Sequence, residues 1–148
     1  MHSLAHLCLR PMTPDDYPRV RRLWEDHATE TLTPDDSLHG VIAFLDRNPG
    51  LSVVVEDNDR LIATALCGDD GRAGYIRHLV VDPAYKEADL ENAMLSVCIV
   101  KLKDLGINEC HLFSPEGHRA LKWFNTPRRE VPFEGTILAA PPPRLASA

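Results

Sequence analysis

The chain has 148 residues, of which 44% are hydrophobic and 26% are charged, and its formal net charge at pH 7 is −6. A chain of this length buries roughly 68–70% of its unfolded surface, so one domain can form a core without disulfides or metals. This composition excludes a disordered chain, and the negative charge gives no electrostatic reason to expect nucleic acid or an anionic membrane as a partner.

The cysteines and the N-terminal segment indicate a reducing compartment. The four cysteines are widely separated and form no Cys-x-x-Cys pair, and the histidines have no metal-binding spacing, so we expect no metal site. The first residues lack the basic region and apolar stretch of a signal peptide, and no apolar run approaches the ~20 residues that span a membrane. We therefore expect a cytoplasmic protein.

The first fifty residues predict one strand followed by two amphipathic helices. Residues 6–10 alternate and end at Pro11, as a first strand would. A Thr-Pro-Asp-Asp motif begins at Thr13 and recurs at Thr33, and each copy places a capping threonine before a proline at the first helical position. Apolar residues then recur at helical spacing. We interpret the repeated motif as two helix starts and not as an internal repeat.

The middle of the chain predicts three strands and the longest helix. Residues 53–55, 61–67 and 74–81 are rich in β-forming residues and are separated by polar turns. A helical pattern over residues 88–105 follows the third strand, and Gly106 ends it.

The last part of the chain predicts a strand over 108–114, a short helix over 115–125 and a last strand over 135–140. The complete order is β, α, α, β, β, β, α, β, α, β. It predicts a mixed α/β (α+β) domain with a central, mostly antiparallel twisted sheet, a β-α-β crossover and about four helices. We expect this single domain to span residues 1–138, and residues 139–148 to be a disordered tail.

Four segments of the chain, in this order, resemble the GNAT family of acetyl-CoA-dependent acyltransferases. "LRPMTPDDYPRVRRLWED" resembles the family's opening strand and helix, and "RLIATALC" is similar to a later strand. "YIRHLVVDPAY" resembles the central strand and its exit, and "LKDLGINECHLFSPEGHRALKWF" the helix end, strand and fourth helix that follow. The resemblance covers nearly the whole chain and implies the GNAT fold and the family reaction, acetyl transfer from acetyl-CoA to an amine.

The resemblance also implies a site for coenzyme A. In the family, the strand that matches Leu79, Val80 and Val81 holds the pantetheine arm with its backbone. The next turn, patterned Arg/Gln-x-x-Gly-x-Gly/Ala, wraps the pyrophosphate with backbone amides at a helix N-terminus. Gly117 matches a position where the family often has asparagine. The turn pattern falls on six residues, which are Lys86, Glu87, Ala88, Asp89, Leu90 and Glu91.

This turn has carboxylates where the family has small residues. Asp89 and Glu91 stand at the two small-residue positions, and Glu87 stands at a third that is often glycine. At ~6 Å and an effective dielectric of 20–40, one pair of unit charges costs roughly 1–3 kcal/mol, so we expect the binding of coenzyme A to be weakened. Acidic residues also stabilise the first turn of a helix, which is a purely structural reason for their presence.

The family's catalytic residues are not matched. The family's general acid is a tyrosine that protonates the leaving thiolate. It matches Phe124 of the pair Trp123-Phe124, and phenylalanine has no hydroxyl. The remaining catalytic candidates are His78, whose imidazole can accept a proton, and Tyr75, whose hydroxyl can order a water or a substrate carbonyl. Simple alternation places His78 away from the acceptor, on the opposite face of its strand from Tyr75, Arg77, Leu79 and Val81.

Two interpretations remain open. The sequence favours a non-catalytic GNAT-fold protein, a pseudoenzyme, that binds a protein partner or a second copy of itself, because loop glycines, helix-start asparagine and acidic tyrosine are all missing. The alternative is an active acetyl-CoA-dependent N-acyltransferase with an altered grip on coenzyme A, acting on a small-molecule or protein amine.

Overall fold

The computed structural model of the chain describes residues 6–122 and 135–138. Within these residues, seven strands form one sheet and three α-helices pack on it. The strands are β1 (Leu7–Pro11), β2 (Val53–Asp57), β3 (Arg60–Asp69), β4 (Gly74–Val81), β5 (Glu109–Ser114), β6 (Gly117–Lys122) and β7 (Thr136–Ile137). The helices are α1 (Tyr17–His27), α2 (Leu38–Arg47) and α3 (Leu90–Asp104).

The sheet is mixed, as the predicted order of elements requires. Its strands lie in the order β6, β5, β4, β3, β2, β1, β7. Neighbours among β1 to β4 are antiparallel, as are β5 and β6, whereas β7 runs parallel to β1. β4 and β5 are parallel, with α3 between them along the chain. The prediction of a mixed α/β fold with a β-α-β crossover is confirmed.

The helices cover both faces of the sheet. On one face α3 packs Met94, Cys98 and Leu102, which lie four residues apart on one helical stripe, against the strands. On the other face α1 and α2 contribute Trp24 and Val41 to a second cluster. Burial of an apolar side chain such as Met94, Leu102 or Val41 contributes about 1.5–3 kcal/mol, so the sheet is held from both sides. Among the described residues, no helix is long and apolar enough to cross a bilayer.

The two Thr-Pro-Asp-Asp motifs begin helical segments, as predicted, and both form capping boxes. The Thr13 N–H donates to Asp16 Oδ2 at 2.8 Å, and the Thr33 N–H donates to Asp36 Oδ2 at 2.9 Å. Each box opens a short 3-10 turn, and α1 and α2 begin within two residues of these turns. Both aspartates are buried beneath the turns, which gives each carboxylate a second role inside the fold.

The prediction of a helix over residues 115–125 is wrong as far as Lys122, the last residue described there. Residues 117–122 form β6, which pairs with the whole of β5. The polar run is too short to be stable as an isolated helix, whereas β5 offers it a full row of hydrogen-bonding partners. Gly117, with φ +131, makes the tight turn between the strands. The described part of the chain therefore has three α-helices instead of about four.

Candidate functional site

β4 and β5 pair only at their beginnings. The pairs join Gly74–Ile76 to Cys110–Leu112, and no further pair between these strands is formed among the described residues. A cavity of about 910 Å³ opens beyond this point. Strand β4, the β5–β6 hairpin, the segment after α1 and the first turn of α3 line it. A gap between two parallel strands exposes backbone groups that a regular sheet would pair, so this is the candidate site.

A β-bulge in β4 shapes the wall of the cavity. Thr64 pairs with Val80 and Leu66 pairs with Arg77, so Ala65 of β3 faces two residues, His78 and Leu79. His78 has the left-handed φ of +51, and its carbonyl accepts a hydrogen bond from Thr64 Oγ1 at 2.9 Å. A bulge adds one residue to a strand and reverses the alternation of side chains beyond it.

This bulge overturns the predicted faces of β4. Leu79 packs against the core cluster under α3, whereas Val80 belongs to the cluster under α1 and α2. Arg77 and Tyr75 therefore do not share a face with Leu79 and Val81. The expectation that His78 lies away from the site is also wrong, because His78 is one of the residues that line the cavity. Alternation cannot reveal a bulge, since the extra residue depends on the pairing with β3.

The His78 ring is fixed from three sides. It stacks on Trp24 with 4.1 Å between ring centroids and 20° between ring planes. Its Nε2 lies 2.8 Å from Asp36 Oδ1, and its Nδ1 lies 3.4 Å from Thr31 Oγ1. The His78 and Asp36 side chains are only 6% and 10% exposed. Asp36 is thus a site residue that sequence reasoning missed, because 42 residues separate it from His78; its place in the capping motif was the only local signal.

Tyr75, the other catalytic candidate, is engaged elsewhere. Its hydroxyl donates to Asp70 Oδ2 at 2.8 Å, in the turn between β3 and β4. This hydrogen bond raises the pKa of Tyr75. The backbone N–H groups of Ala73 and Arg72, together with the Tyr75 hydroxyl, lower the pKa of Asp70 to about 2. Tyr75 is not part of the cavity lining, so the structure does not bring the two catalytic candidates together.

The turn that leads into α3 keeps a left-handed residue where the family resemblance expects glycine. Residues Pro83–Ala88 form a 3-10 turn, so α3 begins at Leu90 and not at residue 88. Asp89 stands between them with φ +54. Its carboxylate does not cap the helix but accepts from Asn92 Nδ2 at 2.9 Å. The turn therefore has one left-handed residue at a position where the resemblance expects glycine.

The residues of this turn differ in their relation to the cavity. Glu91 lines the cavity from the first turn of α3 and is exposed. Lys86 and Asp89 are exposed outside the lining, Ala88 is partly buried against the core and Leu90 is buried. The cavity thus brings together six of the predicted site residues, which are His78, Leu79, Val80, Val81, Glu91 and Gly117. The side chain of Glu87, like Trp123, Phe124 and the predicted tail over residues 139–148, lies outside the described part of the chain.

Tyr85 anchors the turn to the sheet, a contact that sequence reasoning missed. The Tyr85 side chain is buried, and its hydroxyl donates to Asp57 at the end of β2. Burial and this hydrogen bond raise the pKa of Tyr85 to about 12. The Asp82 carboxylate caps the same turn by accepting from the Ala84 N–H at 2.9 Å. These contacts hold the turn against the sheet.

The hairpin wall of the cavity is a stack of planar groups. The Arg77 guanidinium lies 4.3 Å from the centre of the Phe113 ring, and Phe113 stacks on His118 at 5.0 Å. His118 Nε2 lies 2.6 Å from His111 Nδ1.

Within the described residues, no group of three or more His, Cys, Asp or Glu side chains is arranged to hold a metal ion.

Comparisons with known proteins agree on one family. The sequence profile of the acetyltransferase (GNAT) family matches residues 16–125. An acetyltransferase of Pectobacterium atrosepticum is 29% identical over 114 residues, which cover 76% of this chain and 79% of that protein.

Solved structures show the same fold. Ard1 from Thermoplasma volcanium superposes with a TM-score of 0.63 at 12% identity, covering 73% of this chain and 71% of that one. N-acetylglutamate synthase from Neisseria gonorrhoeae, solved with coenzyme A and N-acetyl-glutamate, superposes with a TM-score of 0.60 at 19% identity, covering 74% of this chain and 26% of that one.

Proposed function

The chain belongs to the acetyltransferase (GNAT) family, and on this premise we propose that it binds acetyl-CoA between β4 and β5 and transfers the acetyl group to an amine. The observation that carries the proposal is the cavity that opens where the pairing of these strands stops. Neighbours with this fold include one solved with coenzyme A.

The backbone of β4 supports this use of the cavity. The Asp82 N–H donates to Ile62 O of β3 at 2.8 Å. Backbone groups alternate in direction along an antiparallel strand, so the N–H and C=O of Val81 point away from β3, toward the cavity. These groups suit the amides of a pantetheine arm, since hydrogen bonds to backbone depend little on side-chain identity. The arm would run along Val81 and Leu79 toward His78.

The turn before α3 supports a phosphate position at the other end of this arm. Asp89 keeps the left-handed backbone that a glycine turn needs, and the first turn of α3 presents N–H groups that its cap side chain does not take up. Such N–H groups attract anions. Glu91 opposes this attraction. We therefore propose that the chain binds coenzyme A more weakly than relatives with glycine there do, and that it still catalyses acetyl transfer.

A non-catalytic binding protein is the second candidate. The exposed carboxylates of Asp89 and Glu91 at the proposed phosphate position favour it. Under this candidate the cavity or the sheet edge holds a protein partner or a second copy of the chain, and coenzyme A is not turned over.

The test is calorimetric titration with acetyl-CoA and coenzyme A at low salt, followed by measurement of thiol release. The amine probes are L-glutamate, L-lysine, spermidine and a lysine-containing peptide. We expect a Kd tighter than ~100 μM, about −5.5 kcal/mol, and release that depends on one of these amines. Absence of binding at millimolar ligand would contradict the proposal, and binding without turnover would favour the second candidate.

A further inference from the structure

We infer that His78 accepts the proton of the acceptor amine at Nδ1, and that Asp36 is the positioning residue that makes this nitrogen the acceptor. The inference rests on the proposed function, and it adds a proton path that the family resemblance does not supply. Its starting point is the 2.8 Å contact between Asp36 Oδ1 and Nε2 of His78, a residue that lines the cavity.

The carboxylate determines which nitrogen of the ring carries hydrogen. An ionised carboxylate only accepts hydrogen bonds, so the proton of the neutral ring lies on Nε2, toward Asp36. Asp36 is held in turn, because its Oδ2 accepts from the Thr33 N–H at 2.9 Å in the capping box. Nδ1 is thereby left with its lone pair free to take a proton.

Thr31 stands beside this second nitrogen and suits the protonated ring. Thr31 Oγ1 donates to Ala28 O at 2.8 Å and lies 3.4 Å from His78 Nδ1. Because the shorter contact takes the hydroxyl hydrogen, the threonine presents an oxygen lone pair to Nδ1. Once Nδ1 is protonated, both ring nitrogens therefore donate to oxygen acceptors, Asp36 on one side and Thr31 on the other.

The bulge places His78 in the lining of the cavity. A left-handed φ of +51 is unfavourable for histidine, and it is maintained by the Thr64 hydrogen bond to the His78 carbonyl and by stacking on Trp24. The Trp24 Nε1–H donates to the same Thr64 Oγ1 at 2.9 Å, so the two contacts support each other. Strained backbone of this kind clusters at functional sites.

The position along β4 fits the reacting end of the cofactor. With phosphates near Asp89 and the pantetheine arm along Val81 and Leu79, the thioester reaches the strand at His78. The ammonium form of the amine loses one proton to His78 Nδ1. The free amine then attacks the acetyl carbonyl, the C–N bond forms and the C–S bond breaks. The leaving thiolate takes the second amine proton, and the imidazolium returns its own to solvent.

The decisive variant is Asp36→Asn, with Asp35→Asn as the matched control on the exposed side of the same turn. The asparagine oxygen can still accept from the Thr33 N–H, while its NH₂ group donates to Nε2 and moves the ring proton to Nδ1. We expect kcat for acetyl transfer to fall about 10²- to 10⁴-fold, with the KM for the amine and the Kd for coenzyme A unchanged. Asp35→Asn should match the wild type.

The pH profile separates a catalytic from a structural role. A proton acceptor works only in its unprotonated form, so the wild-type rate should fall in acid, and the residual rate of Asp36→Asn should not. Asp36 faces the ring directly, and the titratable and charged groups that line the cavity are His27 at the end of α1, Glu30 after it, Arg77 on β4, Glu91 on α3, and Glu116, His118 and Arg119 in the hairpin.

Each outcome decides the inference. Equal kcat for wild type and Asp36→Asn overturns it while leaving acetyl transfer intact, and a wild type that neither binds coenzyme A nor acetylates an amine overturns the proposed function and the inference with it. Should Asp36→Asn not fold, His78→Gln, which keeps a donor toward Asp36 but accepts no proton, takes its place under the same criteria.

Discussion

Asp16 and Asp36 occupy the same position in two Thr-Pro-Asp-Asp capping boxes, yet their carboxylates bind different partners. Asp16 accepts two hydrogen bonds from the Arg10 guanidinium, at 2.7 and 2.8 Å, whereas Asp36 binds His78. The first pair connects β1 to the start of α1, and the second connects the start of α2 to the cavity. One local motif therefore serves the fold in one copy and the candidate site in the other.

The Arg10–Asp16 pair predicts a large loss of stability when one partner is removed. Both residues are less than 5% exposed, and removing one member of a buried pair costs up to about 3–5 kcal/mol because the other charge loses its partner. Arg10 Nε also donates to Glu56 Oε1, so the charge left after Asp16 is removed is still partly compensated. We expect Asp16→Ala to lower the free energy of unfolding in urea by up to this amount. Asp15→Ala, on the exposed side of the turn, should change it by less than about 0.5 kcal/mol.

The same pair predicts a loss of stability in acid. Burial alone would raise the pKa of Asp16, but the hydrogen bonds from Arg10 and the Thr13 N–H outweigh it and lower the pKa. A lowered folded pKa gives stability that is present above the unfolded value, about 3.9, and is lost as the pH falls through the folded one. Urea unfolding between pH 6 and pH 2 should show this loss in the wild type. An equal slope in Asp16→Asn would contradict it.

The raised pKa of Tyr85 predicts that stability falls in alkali instead of in acid. Its pKa is raised to about 12 by burial and by the hydrogen bond to Asp57, so the folded state holds its proton more tightly than the unfolded state does. Stability therefore falls as the pH rises from about 10 toward 12. Ultraviolet titration should show one tyrosine ionising near pH 12, and Tyr85→Phe should abolish that step. A last step that survives in Tyr85→Phe would assign it to another tyrosine.

Asp89 predicts a ranking of variants at the turn before α3. Its φ of +54 is unfavourable for residues with a Cβ atom, except that Asp and Asn tolerate it better than most. We expect Asp89→Gly to be at least as stable as the wild type and Asp89→Ala to lie about 1 kcal/mol below the glycine variant. Thermal melting of the three proteins checks the order. An alanine variant as stable as the glycine variant would show that this backbone is not left-handed in solution.

The position of Glu91 predicts that removing its carboxylate increases the affinity for coenzyme A. Its carboxylate lines the cavity at the proposed phosphate position, and solvent screening reduces the repulsion below the value for buried charges. We expect Glu91→Ala to bind coenzyme A about 3- to 10-fold more tightly at low salt, with the gain shrinking at 1 M salt. Asp46→Ala, which removes an exposed charge from α2 outside the cavity lining, controls for net charge. Equal affinities for the two variants would place the phosphates elsewhere.

The sequence by itself determined the order of the first eight strands and α-helices and the family. Helical stripes such as Met94, Cys98 and Leu102, the two capping boxes and the β-rich runs are local patterns, and each is produced by residues within one or two turns of one another. The acidic residues Asp89 and Glu91 can likewise be read directly from the sequence. Only the family resemblance showed that they stand where glycine or alanine is expected in the pyrophosphate turn.

Only the tertiary structure decided which residues meet at the cavity. The bulge at His78 depends on pairing with β3, the strand at residues 117–122 depends on the open edge of β5, and the contact between His78 and Asp36 joins segments that are distant along the chain. None of these is a property of a short window of sequence, because each arises from hydrogen-bonding groups that become neighbours only when the sheet assembles. The left-handed backbone at Asp89 was hidden for a related reason, since aspartate tolerates that conformation without signalling it as glycine does.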